Sequence, residues 1–373
     1  IAKWQSGVFG DLANKKATSD LIIGDSQWLG MCSRRGHYID ITGWVKERDI
    51  ETTMFPATIK GYSEYPKGSD RYWAVPLEGD AIGWAYRKDL FIDPAEKKAF
   101  LERYGHELKV PVSWKEINEI AEFFTRPDKG IYGVGLITSE EYDTVTMGFE
   151  NIFFSLGGDY GDEKYRVKGI LNSEKSVKAL EFFKELYKFT PPNWDNASYS
   201  DTVRAFEDGK VALVNNYFAH MVPLTKKDTN PFETGFFANP VGPYGDKYAA
   251  LGGMGISIVA YSKKKDAALK FLDWFVKEET QKKWAGLGGF PCNKNVLTSA
   301  EFVNSSSFNK ALSDSMAMLK DFWAVPEYDQ LLSISQKELR AYLVSDDITA
   351  KDTLDQIADE WEKVFEYAGY YKE

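Results

Sequence analysis

Ser19-Asp20-Leu21-Ile22-Ile23-Gly24-Asp25-Ser26-Gln27-Trp28-Leu29-Gly30 runs from a short apolar strand into a polar and aromatic turn. Leu21 to Ile23 form the strand and Gly24 breaks it. An acid, a hydroxyl, an amide and an indole then occupy four consecutive positions. A strand that ends this way places polar groups and an aromatic face at the carboxyl edge of a sheet, where open α/β folds bind ligands. Asp25 and Gln27 suit directed hydrogen bonds to hydroxyls, and Trp28 offers a flat apolar face for stacking. Acid, amide and indole together are the usual chemistry of a sugar site. The same residues also spell a strand followed by a helix cap, with Asp25 or Ser26 as N-cap and Trp28 simply packed. Both readings stand open at this point.

Composition narrows the class. A chain of 373 residues suggests two domains of ordinary size, each able to bury a core. With 43% hydrophobic and 27% charged residues, it reads as a globular chain with no disorder signature. Aromatics reach 15%, which favours a site that recognises ligands by stacking. No apolar run approaches the roughly 20 residues needed to cross a bilayer. A net charge of −10 argues against a general nucleic-acid binder. Cys32 and Cys292 lie far apart in sequence, so a cysteine-based metal site is not expected; they read as buried free thiols or, in an oxidising compartment, a single disulfide. The chain opens on Ile1-Ala2-Lys3-Trp4 with neither initiator Met nor visible signal peptide, and reads as a mature or truncated form.

Along the chain, strands alternate with helices, the mark of an α/β architecture. A helix is expected over residues 5–17 and another from Trp28 to Gly36. Strands are expected at Tyr72–Val75 and Gly83–Tyr86, around a loop at residues 76–80. Ser113, with Glu116 three residues on, marks the start of a capped helix, and Ser173 begins another. Phe149–Leu156 reads as an apolar helix ended by Gly157-Gly158. Asp201–Glu207 reads as a short helix that Asp208-Gly209 closes before the strand Val211–Asn215. Thr234–Asn239 and Gly255–Ala260 read as further strands, then helices run to the C-terminus. No long linker is visible, so short crossings must join the domains.

Several of these stretches line up in order with one family. Asp20 to Trp28 resembles the strand-then-site segment of the extracellular solute-binding proteins, the maltose-binding-like sugar receptors of ABC importers. Val75-Pro76-Leu77-Glu78-Gly79-Asp80, followed by Trp84-Ala85-Tyr86-Arg87-Lys88-Asp89-Leu90, looks like their crossing segment. Pro111-Val112-Ser113-Trp114-Lys115-Glu116 is similar to a helix start of the family. Residues 205–213 resemble its helix-to-strand turn, and Gly252-Gly253-Met254-Gly255-Ile256-Ser257-Ile258 with Gly288-Gly289-Phe290-Pro291 completes the set. The family normally opens with a β-strand and a polar loop, whereas this chain begins at what reads as the helix after them.

The resemblance implies an α/β, two-lobed periplasmic-binding-protein type II fold with a ligand cleft between lobes. It implies lobes of residues 1–84 plus 253–290 and 85–252 plus 291–373, with hinge crossings near 84, 252 and 290. It places Asp25, Gln27 and Trp28 in the site, with Glu78 and Asp80 from the crossing loop. It adds Tyr142, Asp143 and Met147, ahead of the Phe149 helix, and Asn216, Tyr217 and Phe218, after the strand ending at Asn215. Gly253 and Met254, and the aromatic segment Phe322, Trp323 and Tyr328, complete the set. For the aromatics, packing in the core is an equal alternative. The expected role is capture of a carbohydrate and its delivery to a membrane permease, by a monomer that is periplasmic or a lipid-anchored extracellular lipoprotein. No catalytic residue, metal or cofactor is expected. Two alternatives remain: the same receptor with a cationic solute such as a polyamine or metal ion, suggested by Asp25, Glu78, Asp80 and Asp143; and a glycoside hydrolase, which two acids and aromatics would also suit.

Overall fold

A computed structural model of the chain describes residues 2–371. The expected limits at residues 1 and 373 lie outside the described residues. Among the described residues there are seven strands: β1 (Leu21–Asp25), β2 (Val75–Arg87), β3 (Tyr132–Gly135), β4 (Val211–Tyr217), β5 (Thr234–Phe237), β6 (Ala249–Ile258) and β7 (Leu319–Lys320). The chain divides into two compact units. The first holds the residues up to Ala81, then Leu251–Asn309 and Leu319–Asp329; the second holds Ile82–Ala250, Lys310–Met318 and the residues from Gln330 onward. Two of the crossings between units lie inside β2 and inside β6; the chain crosses again after Asn309, after Met318 and after Asp329.

In the first unit β6 lies between β1 and β2, antiparallel to both. This sheet and the helices beside it bury Trp44, Val45, Ile50, Met54, Ile59, Tyr62, Val75, Ile256, Ile258, Leu272 and Phe275 in one core. The expected loop at residues 76–80 is absent. β2 is one continuous strand of 13 residues whose register shifts between Pro76 and Glu78. Proline lacks an amide donor and glycine lacks a side chain, so the pair read as turn punctuation. Here the bulge absorbs Pro76, and Gly79 donates its amide to the Phe290 carbonyl at 2.9 Å.

The glycines of β6 explain how that strand fits. Expected to precede a strand, Gly252 and Gly253 instead lie inside it, facing Asp80 and Gly79. Gly253 has φ of +97°, and a Cβ built there would stand 2.0 Å from the Glu78 carbonyl oxygen. A Cβ on Gly255 would stand 2.9 Å from the Tyr62 carbonyl. Both positions require glycine for backbone approach, and Gly253 for its conformation as well. Cys32 and Cys292 are both free and buried. Burial pushes the Cys32 thiol up to about 12 and raises that of Cys292 as well.

In the second unit β2 pairs antiparallel with β4 and β5, and β3 runs parallel to β4. Helices are set by the caps legible in the sequence. Ser113 accepts the Glu116 amide at 3.2 Å to start Trp114–Phe124, while the Glu116 carboxylate takes the Val112 amide at 2.6 Å. Glu174–Tyr187 begins at the Ser173 cap and buries Ala179, Leu180, Phe183 and Leu186. Aromatic rings fill the core in a chain: Phe149 to Phe153 at 5.1 Å, Phe153 to Tyr160 at 5.2 Å, Tyr160 to Trp361 at 5.2 Å.

A buried asparagine knot ties these strands together. The Asn239 amide donates to Asn151 Oδ1 at 2.6 Å, the Trp84 indole donates to Asn239 Oδ1 at 2.8 Å, and Asn215 donates to the Gly83 carbonyl at 3.1 Å. Asn151 Oδ1 also accepts the Ala250 amide at 3.3 Å. Buried amides are tolerable only when paired in this way.

Gly253→Ala is expected to destabilise the protein by about 2 kcal/mol or more, because strain at positive φ adds to a backbone collision. Urea denaturation should show a lower midpoint at unchanged slope. A midpoint within error of wild type would contradict the close approach described.

Candidate functional site

The first unit gathers its candidate residues on β1, β2 and β6. Asp25 ends β1 opposite Met254. Its carboxylate caps the single turn Ser26–Trp28, accepting the Ser26 hydroxyl at 3.1 Å and the Gln27 amide at 3.3 Å. Gln27 is buried. Trp28 is 0% exposed, its ring against Trp4 at 4.9 Å and Phe9 at 5.1 Å, both on the first helix, Ala2–Ala13. The indole therefore presents no accessible face in this structure.

Glu78 and Asp80 belong to β2 itself and not to a loop. Two residues apart past the bulge, they share one face of the strand. Asp80 is 2% exposed and accepts the Ala81 amide at 2.8 Å. Burial holds the Glu78 carboxyl above the usual range. Beside this pair stands Tyr62, which the sequence reading did not single out. Its hydroxyl donates to the Gly252 carbonyl. Burial, then Cys292, Asp321, Asp80 and Glu78, keep it firmly protonated. Phe322 is buried and its amide donates to Asp321 at 2.8 Å; Trp323 is half-buried. Tyr328 is buried and its oxygen accepts the Gln5 amide at 2.7 Å.

The second unit holds the remaining candidates. Tyr142 has φ of +57°, and its carbonyl accepts the Gln336 amide. Met147, expected ahead of a helix, is fully buried within it, because the helix spans Thr144–Ser155. Thr144 opens the helix, its hydroxyl tied back to the Ser139 and Glu141 carbonyls of the preceding loop at 2.5 and 2.7 Å. Phe218 is fully buried, under a Gly83 that could carry no Cβ: one would lie 2.3 Å from the ring. Asn216, a residue of β4 and not of a segment after it, donates to the Tyr199 carbonyl and the Thr202 hydroxyl, each at 2.8 Å. Tyr217 closes β4 with its ring 5.6 Å from Tyr199.

Tyr199 is the centre of this group. It donates its hydroxyl to Asp143 at 2.8 Å and stacks on His220 with ring centroids 4.7 Å apart and planes 7° from parallel. Neighbouring protein atoms displace water from the accessible imidazole and lower its pKa, so His220 is neutral at pH 7. The sequence reading began this helix at Asp201. In fact Ser198 and Asp201 form the capping box that starts it at Tyr199. Reading that box would have put Tyr199 at a helix N-terminus; His220 carried no comparable signal. A half-buried tyrosine stacked on an exposed imidazole, with an acid beside it, makes a surface able to stack on an apolar face and hydrogen-bond hydroxyls. Among the described residues no group of three or more His, Cys, Asp or Glu could hold a metal ion.

The sequence matches the family described as bacterial extracellular solute-binding protein over residues 3–282. The erythritol/L-threitol-binding protein of Mycolicibacterium smegmatis is 22% identical, aligned over 73% of this chain and 55% of its own length. Among solved structures, an ABC transporter solute-binding protein of Agrobacterium radiobacter K84, in complex with ribitol, superposes with TM-score 0.79 at 23% identity, covering 98% of this chain and 90% of that one. A maltose-bound protein of T. maritima superposes equally well, with TM-score 0.79 at 23% identity over 96% and 88% of the two chains. The α/β fold of the periplasmic solute-binding proteins is thereby established for this chain.

Glu78→Gln tests the buried carboxyl. Its raised pKa means that the charged form is penalised in the folded state. That penalty is absent below the unfolded value near pH 4.5 and appears as pH rises through the folded value. The variant should therefore melt higher than wild type at pH 7 and equal it near pH 4. Equal melting temperatures at both pH values would show the carboxyl to be well solvated.

Proposed function

The chain belongs to the bacterial extracellular solute-binding protein family, and from that premise we propose that it is the receptor of an ABC importer for a carbohydrate or polyol. The reading is carried by the Tyr199–His220 stack beside Asp143. Ring faces suit the C–H face of a sugar, and a neutral imidazole with a carboxylate offers both a donor and an acceptor to hydroxyls. In the first unit, Glu78 and Asp80 would accept from hydroxyls in the same way. The names of the relatives agree: one is named for tetritols, and two solved neighbours hold ribitol and maltose.

A hydrolase fits less well. Glu78 and Asp80 stand side by side on one strand face, whereas glycoside cleavage needs acids on either side of the scissile bond. A cationic solute is disfavoured by a Glu78 that burial biases toward its uncharged form. The receptor works outside the cytoplasmic membrane, periplasmic or lipid-anchored, handing its solute to a permease. Among the described residues no helix is long and apolar enough to cross a membrane.

A thermal-shift screen of sugars, polyols, polyamines and divalent cations tests the proposal. A bound sugar or polyol at a hundredfold excess over its Kd should stabilise the fold by about 2.7 kcal/mol, with little dependence on salt. Tyr199→Ala should weaken that ligand about tenfold. Shifts given only by cations and abolished by salt would overturn the sugar reading; release of shorter products from oligosaccharides would overturn the receptor.

A further inference from the structure

The helix Lys265–Phe275 and the following Glu278–Gly286 carry a surface that the solute-binding role does not use. The first helix buries Ala268, Leu272 and Phe275. Its outer face runs through Ala267, Lys270, Phe271 and Trp274, all exposed and at helical spacing, with the exposed Lys263 and Lys277 just beyond its two ends. On that face Phe271 is 41% and Trp274 53% exposed, with their rings 5.4 Å apart. Phe271 stacks on the buried Phe275 at 6.2 Å, and Phe275 meets Trp284 of the second helix at 6.3 Å. Leu287, in the turn after that helix, is 86% exposed. Single exposed apolar residues are ordinary, but two touching rings on a rigid helix, with a projecting leucine after the next, are not.

The charge around these rings is reversed relative to the molecule. The chain has 46 Lys and Arg against 56 Asp and Glu. Between Lys263 and Leu287, lysines occupy positions 263, 264, 265, 270, 277, 282 and 283, against the acids Asp266, Asp273, Glu278 and Glu279. Two of those acids are turned to other duties. Asp273 accepts Arg48 Nε at 2.5 Å and the Trp44 indole at 3.1 Å; Glu278 accepts Lys282 at 2.7 Å and Asn295 at 3.1 Å. Lys263, Lys265, Lys270, Lys277 and Lys283 have no ion-pair partner among the described residues.

We propose that this face, centred on Phe271 and Trp274, docks the protein reversibly on an anionic lipid surface. Tryptophan and phenylalanine seat at the headgroup level of a bilayer, and lysines beside them are drawn to acidic headgroups. A second copy of the chain is the poorer occupant, because a symmetric contact would set like-charged lysines against one another. The contact is shallow: no more than a few side chains enter the interface, so binding is weak, salt-sensitive and separable from solute capture.

The test is co-sedimentation of the full chain with vesicles of phosphatidylcholine alone or mixed with phosphatidylglycerol. The expected result is binding to the mixed vesicles only, lost on adding salt. Trp274→Ser should abolish it, and Lys270→Glu or Lys277→Glu should each lower partitioning about fivefold or more. Leu287→Ser, at a fully solvated turn, provides a second apolar variant should Trp274→Ser fold poorly. Each variant should keep the wild-type melting temperature and any sugar-induced shift, which separates this surface from the solute site. Equal binding to neutral vesicles, no binding, variants that bind like wild type, or Trp274-dependent self-association without lipid would each overturn the proposal.

Discussion

Backbone resting on backbone is the constraint on which the first unit is built. β6 threads between β1 and β2, and at Gly253 and Gly255 it comes so near Glu78 and Tyr62 that no side-chain carbon fits. Because β6 can lie there, Pro76 and Gly79 are absorbed into a continuous strand. Because that strand is continuous, Glu78 and Asp80 share a face beside the Tyr62 hydroxyl. The acids thus owe their position to glycines on the neighbouring strand. The second unit meets the same need for order differently, through an asparagine knot that satisfies its own donors and acceptors deep in the core.

Punctuation by caps was plainly legible in the sequence. Ser113 and Ser173 start helices where they stand, and Gly157 and Gly209 adopt positive φ just after helices end. The alternation of strands and helices and the run of ordered motifs pointed to the α/β class and to the family. The element boundaries that failed did so for definite reasons. Proline and glycine within β2 read as a turn because a bulge and a glycine-rich partner strand are properties of the pairing, which a single segment does not reveal. The helix start at Tyr199 was missed because its capping box lay in a polar stretch that looked like loop.

The site was less legible than the fold, and the aromatics show why. Stacking residues and core residues have the same composition, and only burial separates them. Trp28, Met147 and Phe218 are fully enclosed, whereas Tyr199 and Trp323 are only half covered. Much of the 15% aromatic content fills cores, as the chain from Phe149 to Trp361 illustrates. Tyr62 reaches the acids of β2 through tertiary packing that no local pattern encodes.

The two thiols make the molecule chemically lopsided. Both lie in the first unit, both are enclosed, and both are held far from the reactive thiolate. A thiol-modifying reagent is therefore blind to the native protein and to every fluctuation of the second unit, which contains no cysteine. It responds only when the first unit opens. Cysteine modification rates under native conditions are thus a built-in clock for one half of the chain, ticking at the frequency with which that half loosens.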